Sequence, residues 1–432
     1  KAVDIMESRE DLCRLFLNIV KSETVPAIGC TEPVAVAYAS AVAKKYLTGD
    51  IDSIKANVSI NIYKNGKSVT IPNTDKCGLE LAVTLGAICG DPNAGLLVFK
   101  NVDESNINSA YEMINQGKVD INWIPNTPEI YVQVLMSSKE NTVEVVLKDN
   151  HNHIESVKVN GELVYHNILK TQEKKESDIL KSMTFREIRE VCENVPLSEL
   201  DFIEEGIKMN KAAAFKGLTA HKGLNWGAAI GRLQKKGKLT SDASMKARIL
   251  TAAGADIRMG GGNCPIMTSA GSGNQGLGVI LPIAVVAEEE NIGREKLLRA
   301  VFYGHLLNKF VKVYTGKLTA ICGCAIAAGI GATSSIAWML GGNDKQIEGA
   351  AQNMFANLAG ILCDGAKETC ALKLSTSAGE AVLSAYLACD DVIAKCNTGI
   401  LGGTIEETIR NIGTLCKKGF SGADEVIVDI IG

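Results

Sequence analysis

The spacing of apolar residues changes near residue 172, and this change constrains the fold more than any other feature of the chain. Between residues 130 and 159, short apolar runs are separated by turn residues, which predicts a meander of strands. Further on, apolar residues recur at helical spacing, for example along 347–361. The sequence therefore predicts the α+β class, with an N-terminal α/β domain over residues 1–172 and a mostly helical domain over 173–432.

Three local patterns make narrower predictions. Strict alternation over 54–62 predicts a half-buried strand, and the pair Asn65 and Gly66 behind it predicts a hairpin turn. Residues 171–178 are charged and unpatterned, which indicates a linker between the domains. The apolar tail 426–431 is the candidate strand of the C-terminal half.

Composition and charge exclude several classes of partner. The chain has 432 residues, of which 46% are hydrophobic, and a formal net charge of −4. A mildly acidic protein without a basic run has no general attraction to phosphate backbones, so no nucleic-acid partner is expected. Residues 1–11 lack the apolar region of a signal peptide, so a cytoplasmic location is expected. Whether copies of the chain form a homo-oligomer stays open.

The uncharged segment 318–340 is long enough to span a bilayer. Its glycine, serine, threonine and cysteine content favours instead a helix packed inside a protein core, and no other segment resembles a partner span. We therefore expect no association with a membrane.

Thirteen cysteines are distributed along the chain. Without an export signal, a disulfide framework is not expected, and a buried reduced cysteine usually behaves as a small apolar residue. Two groups are closely spaced, namely Cys322 with Cys324 and Cys363 with Cys370. Thiolates that converge from distant segments suit an iron–sulfur cluster, although the spacing by itself favours ordinary core cysteines.

Residues 27–33 place a thiol, a hydroxyl and a carboxylate just before a predicted helix over 34–46. These groups belong to Cys30, Thr31 and Glu32. A thiol at a helix N-terminus is expected to have a lowered pKa, which favours the thiolate. The alternative is structural, with Thr31 as the N-cap and Cys30 buried.

A glycine-rich run extends over 258–276. Its candidate binding residues are Arg258, Ser272, Gly273, Asn274 and Gln275. Exposed N–H groups in such a run suit an anion, especially ahead of a helix over 277–286. A dinucleotide site is not expected because no strand precedes the run, and a Walker phosphate loop would need a Lys-Ser/Thr pair. A carboxylate-binding loop fits better, and the alternative is a plain connection between helices.

The five histidines form no pair at metal-binding spacing. His151 and His153 lie in a polar hairpin, where solvated side chains are expected. No Ser-His-Asp triad and no pyridoxal lysine can be assigned from the residues.

Together these segments resemble the L-cysteine desulfidase family, which is related to the iron–sulfur L-serine dehydratase alpha chain. The resemblance is carried by residues 29–33 (Gly-Cys-Thr-Glu-Pro), 258–261 with 269–276, 318–322, and 361–378. These motifs span nearly the whole chain in the order of the family.

The resemblance implies a [4Fe–4S] cluster held by three cysteines, which correspond here to Cys322, Cys363 and Cys370. Cys324 competes with Cys322, because the Cys-Gly-Cys pair allows a shift of two residues. Cys30 corresponds to the fourth important cysteine of the family, a base or a transient cluster ligand. The N-terminal domain is then implied to cap a helical catalytic domain.

The implied activity is the elimination of sulfide from a small amino acid, L-cysteine, to give pyruvate, ammonia and hydrogen sulfide. An iron without a cysteine ligand would act as a Lewis acid on the leaving group. Cys30, as thiolate, would remove the α-proton. The loop 272–274 would hold the carboxylate, with Arg258 a weaker candidate, and Thr31, Glu32 and Gln275 are expected at the substrate site.

Three alternatives stay open. Dehydration of L-serine or L-threonine needs the same iron, with a hydroxyl as the leaving group. A binding or sensor protein would use the same scaffold without elimination. A pyridoxal enzyme would perform the elimination with another cofactor.

Overall fold

The computed structural model describes residues 9–167 and 172–432. Its helices, in chain order, are α1 (Arg9–Glu23), α2 (Thr31–Tyr46), α3 (Ile60–Gly66), α4 (Leu79–Cys89), α5 (Glu104–Asn115), α6 (Gln172–Lys181), α7 (Phe185–Asn194), α8 (Asp201–Gly217), α9 (Trp226–Lys235), α10 (Ala243–Met259), α11 (Gly273–Glu289), α12 (Arg294–Thr315), α13 (Gly329–Met339), α14 (Asp344–Leu358), α15 (Cys370–Cys389), α16 (Ile405–Thr414) and α17 (Ala423–Ile431). Its strands are β1 (Pro26–Ala27), β2 (Ser53–Val58), β3 (Val119–Trp123), β4 (Tyr131–Ser137), β5 (Thr142–Lys148), β6 (Ile154–Val159), β7 (Glu162–His166) and β8 (Ile266–Met267). This arrangement confirms the predicted α+β class.

The N-terminal part is built on a six-stranded mixed sheet in the order β3-β2-β4-β5-β6-β7. β2 runs parallel to β3, and the other neighbours are antiparallel, so the predicted meander over 130–159 is confirmed. β4 and β5 bury alternate side chains, which pack against α2 and α4 in one core.

A short helix replaces the hairpin predicted after β2. Ser59 ends the strand because its hydroxyl caps α3, accepting a hydrogen bond from the Ile62 N–H at 3.3 Å. The same hydroxyl donates to the Glu129 carbonyl at 2.8 Å. The Asn-Gly pair at 65–66 therefore ends a helix, and the hairpin prediction is wrong.

The predicted linker and the predicted C-terminal strand are helical as well. Thr171 lies outside the described residues, and α6 begins at Gln172, in a stretch of Glu, Lys and Gln residues that favour helix. In α17 the adjacent residues Ile427 and Val428 are both buried, a pattern of helices rather than of half-buried strands. The prediction of a C-terminal strand is therefore wrong, whereas the role of 171–178 as a linker between domains stays a prediction.

The C-terminal part packs its helices around α11 and α12, whose side chains are mostly buried. The uncharged segment 318–340 contains a π-helical turn, Cys324–Ala328, followed by α13, and both elements are largely buried against other helices. In the described residues, no helix is long and apolar enough to cross a membrane.

The two parts of the chain share a small sheet. β1 pairs antiparallel with β8, and the Val25 N–H donates to the Thr268 hydroxyl at 2.9 Å. Residues 27–33 therefore lie beside the glycine-rich run 258–276. The domain boundary near residue 172 stays a prediction.

Candidate active site

A cavity of about 100 Å³, here called the thiol cavity, is lined by residues of both parts of the chain. The first residues of α2, α11, α15 and the π-helical turn all line it. Because a helix N-terminus carries unpaired N–H groups and partial positive charge, the cavity suits anionic groups. The predicted site residues that line it are Cys30, Thr31, Glu32, Arg258, Ser272, Asn274, Gln275, Cys322, Cys324, Cys363 and Cys370.

Cys30 is the N-cap of α2, and its Sγ donates a hydrogen bond to Glu32 Oε2 at 2.8 Å. The Thr31 hydroxyl donates to the same oxygen at 3.3 Å, so Thr31 is not the cap. Burial raises the pKa of Cys30 well above its usual value, and the negative charge of Glu32 raises it further, against the opposing charge of Arg258. The predicted lowering of this pKa is therefore wrong, and the role of Cys30 as base stays a prediction.

Glu32 is an ionised carboxylate in the wall of the thiol cavity. Burial raises its pKa, but hydrogen bonds and charges from His151 and neighbouring groups outweigh this and lower the pKa to about 2. His151 Nε2 lies 3.5 Å from Glu32 Oε1, and Asn65 Nδ2 donates to the same oxygen at 3.4 Å. His151 and His153 are each 8% exposed, so the prediction of solvated histidines is wrong.

Arg258, buried in the last turn of α10, packs against the start of α11. Its Nη1 donates to Asn274 Oδ1 at 2.8 Å. Gly273 makes room for it, because a Cβ at that position would lie 2.4 Å from Arg258 Nε. Gly323 has the same role for Gln275, whose Nε2 would lie 2.5 Å from an added Cβ. Gly273 thus supports the wall without lining the cavity.

Ser272 is the N-cap of α11, and its hydroxyl accepts a hydrogen bond from the Gln275 N–H at 3.4 Å. The N–H groups of Gly273 and Asn274 belong to the first turn of α11, where no acceptor exists within the helix. Because Asn274 also lines the cavity, its N–H group is suited to bind a carboxylate there. The carboxylate-binding role of loop 272–274 stays a prediction.

Two extended segments bring Cys322 and Cys363 to the same wall. The Cys322 N–H donates to the Ile361 carbonyl at 2.8 Å, and the Cys363 N–H donates to the Ala320 carbonyl at 2.8 Å. Cys370 is the first residue of α15 and lines the same cavity. Backbone pairing therefore positions two of the three predicted ligands, and a helix start positions the third.

Cys324 begins the π-helical turn beside Cys322. The Cys324 thiol donates a hydrogen bond to Cys322, which lowers the pKa of Cys322 to about 6. Burial raises the pKa of Cys363, and it raises that of Cys370 to about 11. Of these thiols, Cys322 is therefore the most readily ionised.

The donor set suits a cluster better than a single ion. Within residues 9–167 and 172–432, no three His, Cys, Asp or Glu side chains form a group that could hold one metal ion. Each cysteine of a [4Fe–4S] cluster binds a different iron, so its ligands need not converge on one point. The thiols of this cavity fit such a cluster in chemistry and in number.

Two lysines fix the loop that carries Cys363. Lys64 is 1% exposed, and its Nζ donates to the Cys363 carbonyl at 3.1 Å and to Asp424 Oδ1 at 2.6 Å. Lys373 Nζ donates to the Leu362 carbonyl at 2.6 Å. Both lysines place positive charge near the thiols, which favours anionic groups there. The sequence did not reveal the role of Lys64, because its partners lie in other segments, and Lys373 lies inside the 361–378 motif but was not predicted as a site residue.

One face of α12 carries buried polar residues that also escaped prediction. His305 Nδ1 lies 2.7 Å from Ser269 Oγ, and Asn308 Nδ2 donates to that oxygen at 2.9 Å. Lys312 Nζ donates to the Ala270 carbonyl at 2.9 Å. Burial lowers the pKa of His305 to about 3 and that of Lys312 to about 8. In the sequence these residues could have been noticed by their spacing of three and four positions, which places them on one face of a helix whose neighbouring residues are apolar.

A second cavity, of about 90 Å³, adjoins the thiol cavity. Residues common to both include Thr31, Glu32, Ser272, Gln275 and Lys312. Glu23, His151 and Gly271 line only the second cavity. The two spaces are therefore separated by shared side chains rather than by a layer of core.

Comparison with known proteins gives one family profile and several full-length relatives. The profile described as serine dehydratase alpha chain matches residues 136–429. A UPF0597 protein of Clostridium botulinum (strain Okra / Type B1) is 56% identical over 424 residues, which is 98% of each chain. UPF0597 proteins of Alkaliphilus oremlandii and Caldanaerobacter subterraneus are 40% and 38% identical, each over 98% of this chain and over 98% and 99% of their own.

Proposed function

The chain belongs to the serine dehydratase alpha chain family, and from this premise we propose that it is an iron–sulfur-dependent lyase that eliminates sulfide from L-cysteine. The observation that carries the proposal is the thiol cavity, whose lining contains Cys322, Cys363 and Cys370 together with a Cys30 thiol hydrogen-bonded to a carboxylate. Thiols to hold a cluster and a group to move a proton are the two requirements of this reaction.

In the proposed enzyme, Cys322, Cys363 and Cys370 hold the [4Fe–4S] cluster. Cys322 is preferred over Cys324 because backbone pairing between 320–322 and 361–363 places Cys322 on the same two segments as Cys363. When bound through three cysteines, the cluster supplies a Lewis acid for the leaving group.

The start of α11 would orient the substrate. The N–H group of Asn274, which lines the cavity, would bind its carboxylate, while Arg258 holds the Asn274 side chain in place. The substrate ammonium group would then lie near the ionised Glu32. This orientation presents the α-carbon to Cys30.

Cys30 would take the α-proton on Sγ. In the resting protein this thiol donates to Glu32, and burial favours its protonated form. A substrate ammonium group would bring positive charge beside Glu32 and Cys30, which would lower the pKa of the thiol, so that it gives its proton to bulk water before it takes the α-proton. The desolvated thiolate that results is a strong base, positioned by Glu32.

L-Cysteine is preferred as the substrate because of what the leaving group needs. Hydroxide from L-serine is a strong base and leaves readily only when a proton or a Lewis acid neutralises it, and Glu32, kept ionised by His151 and neighbouring groups, does not supply that proton. Hydrosulfide is a far weaker base and leaves with less help. The second candidate is dehydration of L-serine, which the description of the matching family profile favours.

The test begins with protein purified without oxygen. About four iron atoms and about four acid-labile sulfides per chain are expected, with release of sulfide and pyruvate from L-cysteine. The value of kcat/KM is then compared for L-cysteine and L-serine. Absence of iron after anaerobic reconstitution would refute the lyase mechanism. A higher kcat/KM for L-serine than for L-cysteine would make L-serine the preferred substrate.

A further inference from the structure

We propose that the second cavity is a binding site for a small amino acid zwitterion, with Lys312 facing its carboxylate and Glu23 its ammonium group. The choice of an amino acid as ligand rests on the proposed function. The existence of a polar binding site rests on the contacts of the residues that line the cavity.

Lys312 provides the positive group. It is 7% exposed and lines both cavities, and the hydrogen bond found for its Nζ within the described residues goes to the Ala270 carbonyl at 2.9 Å. An ammonium group has three donors, so two remain for a ligand. A buried cation with unused donors is costly unless an anion joins it.

Glu23, the last residue of α1, provides the negative group. Its Oε1 accepts a hydrogen bond from Lys309 Nζ at 2.6 Å. Its Oε2 is buried and has no hydrogen-bond partner in the described part of the chain. A buried acceptor without a partner carries a desolvation cost, which a ligand ammonium group would remove.

A tight turn links these two residues. Ala270 and Gly271 have φ values of 47° and 77°, and the turn is closed by the Ser272 N–H donating to the Ser269 carbonyl at 3.0 Å. The Gly271 N–H donates to the Glu23 carbonyl at 3.1 Å. An alanine in the left-handed region is strained, and such strain persists where the surroundings fix it. The turn thereby connects the end of α1 to Lys312.

Gln275 stands at the border of the two cavities. It is 6% exposed, lines both spaces, and its Oε1 is buried without a partner among the described residues. A second unsatisfied acceptor in the same lining supports a polar ligand rather than an empty packing defect. An amino acid held by Lys312 would therefore lie next to the thiol cavity.

The other cations near the second cavity already have partners. Lys309 pairs with Glu23, and Lys317 donates to the Asp149 carbonyl at 2.8 Å and to Asn150. Lys312 therefore differs from both, since it lines the cavity and the hydrogen bond found for its Nζ in the described residues goes to one neutral backbone carbonyl.

The experiment measures binding to the full chain, purified without oxygen, by calorimetry. L-Alanine is the probe, because it has no leaving group on its β-carbon and is not consumed. Propionate, which has the carboxylate alone, is the second probe. The variants are Lys312→Met and Glu23→Gln, and the control is Lys296→Met, an exposed lysine on the same helix.

Loss of a charged hydrogen-bond partner is expected to weaken L-alanine binding about tenfold or more in both variants, with the control unchanged. Propionate should bind more weakly than L-alanine, and Lys312→Met should weaken it while Glu23→Gln should not. The proposal is overturned if both variants bind L-alanine as the control does, or if propionate binds as tightly as L-alanine.

Lys312→Arg separates charge from packing, since it keeps the positive charge. It should retain more affinity for L-alanine than Lys312→Met, and equal losses would contradict the proposal. Elimination from L-cysteine is measured on the same proteins. Lys312-dependent binding without elimination would refute the proposed function alone, whereas elimination with binding indifferent to Lys312 would refute this inference alone.

Discussion

The two walls of the thiol cavity are held in place by different kinds of bond. The thiol wall, residues 320–324 and 361–370, is positioned by backbone pairing, with Cys322 and Cys363 each donating an N–H bond at 2.8 Å across the two segments. The carboxylate wall, formed by Cys30, Glu32 and Asn65 with His151 behind Glu32, is held through side chains. Replacing a side chain should therefore leave the thiol wall in place but rearrange the carboxylate wall.

The largest effect is expected from Cys363→Ala. The backbone keeps the loop in place, but the proposed cluster loses a ligand, so the protein should lose essentially all of its iron and its turnover. Iron analysis and sulfide release measure this. Cys389→Ala, a half-buried thiol outside the cavity, is the control and should keep its iron. A Cys363→Ala variant with full iron content would show that the thiol wall does not hold the cluster through Cys363.

Cys30→Ala should leave the iron content unchanged and lower kcat by about 10²- to 10⁴-fold, the usual contribution of a general base. The reason is that Cys30 belongs to the wall proposed to move a proton. Cys13→Ala, a buried thiol outside the cavity, is the matched control. A Cys30→Ala variant that turns over normally would refute the assignment, and one without iron would make Cys30 a cluster ligand.

Lys64→Met tests how the two walls are connected. Lys64 lies in α3, next to Asn65, and its ammonium group bonds the Cys363 carbonyl and Asp424. Breaking a buried charge pair should lower the free energy of unfolding by about 3 kcal/mol, and iron affinity should fall. Urea unfolding and iron titration measure these effects. Lys67 is a less buried lysine near the end of the same helix, and Lys67→Met should leave the free energy of unfolding and the iron affinity nearly unchanged.

The smallest effect concerns acid stability. The pKa of Glu32 is about 2 in the fold against a usual 4.5, so its ionised form stabilises the protein above pH 4.5, and this contribution is lost as the pH falls towards 2. Its maximum size is on the order of 3 kcal/mol. Urea unfolding of iron-free protein should show the advantage of wild type over Glu32→Gln shrinking below pH 4.5. A pH-independent difference would contradict the pKa.

The sequence predicted the parts of the fold that depend on local pattern. The meander over 130–159 was predictable because alternation and turn residues act over a few positions. The helix at 60–66, where a hairpin was predicted, could not be foreseen in this way. The apolar alternation over 54–62 also fits a continuous strand, and the sequence does not show that Ser59 caps a helix. The strand predicted for the C-terminal tail was wrong for a similar reason, because a short apolar run fits the spacing of a helix as well as that of a strand.

The residues of the candidate site also divide into those that local motifs predicted and those that they did not. Its cysteines and the 258–276 run were found through motifs, and all predicted residues except Gly273 line one cavity. His151 and Lys64 act through partners far away in sequence, which no local pattern marks, and for Lys312 the local signal was its helical spacing alone. The predicted lowering of the Cys30 pKa was wrong because burial, a property of the folded protein, raises this pKa by more than the helix N-terminus lowers it.

The composite origin of the cavity also sets an order of events during translation. Cys370 is synthesised about 340 residues after Cys30, which takes on the order of 20–70 s at usual rates of elongation. Throughout that interval the Cys30 segment lacks the complete thiol wall, and during the first part of it β1 also lacks its partner strand β8. The proposed insertion of iron through these cysteines would therefore follow synthesis of most of the chain, because a truncated nascent chain lacks part of the site.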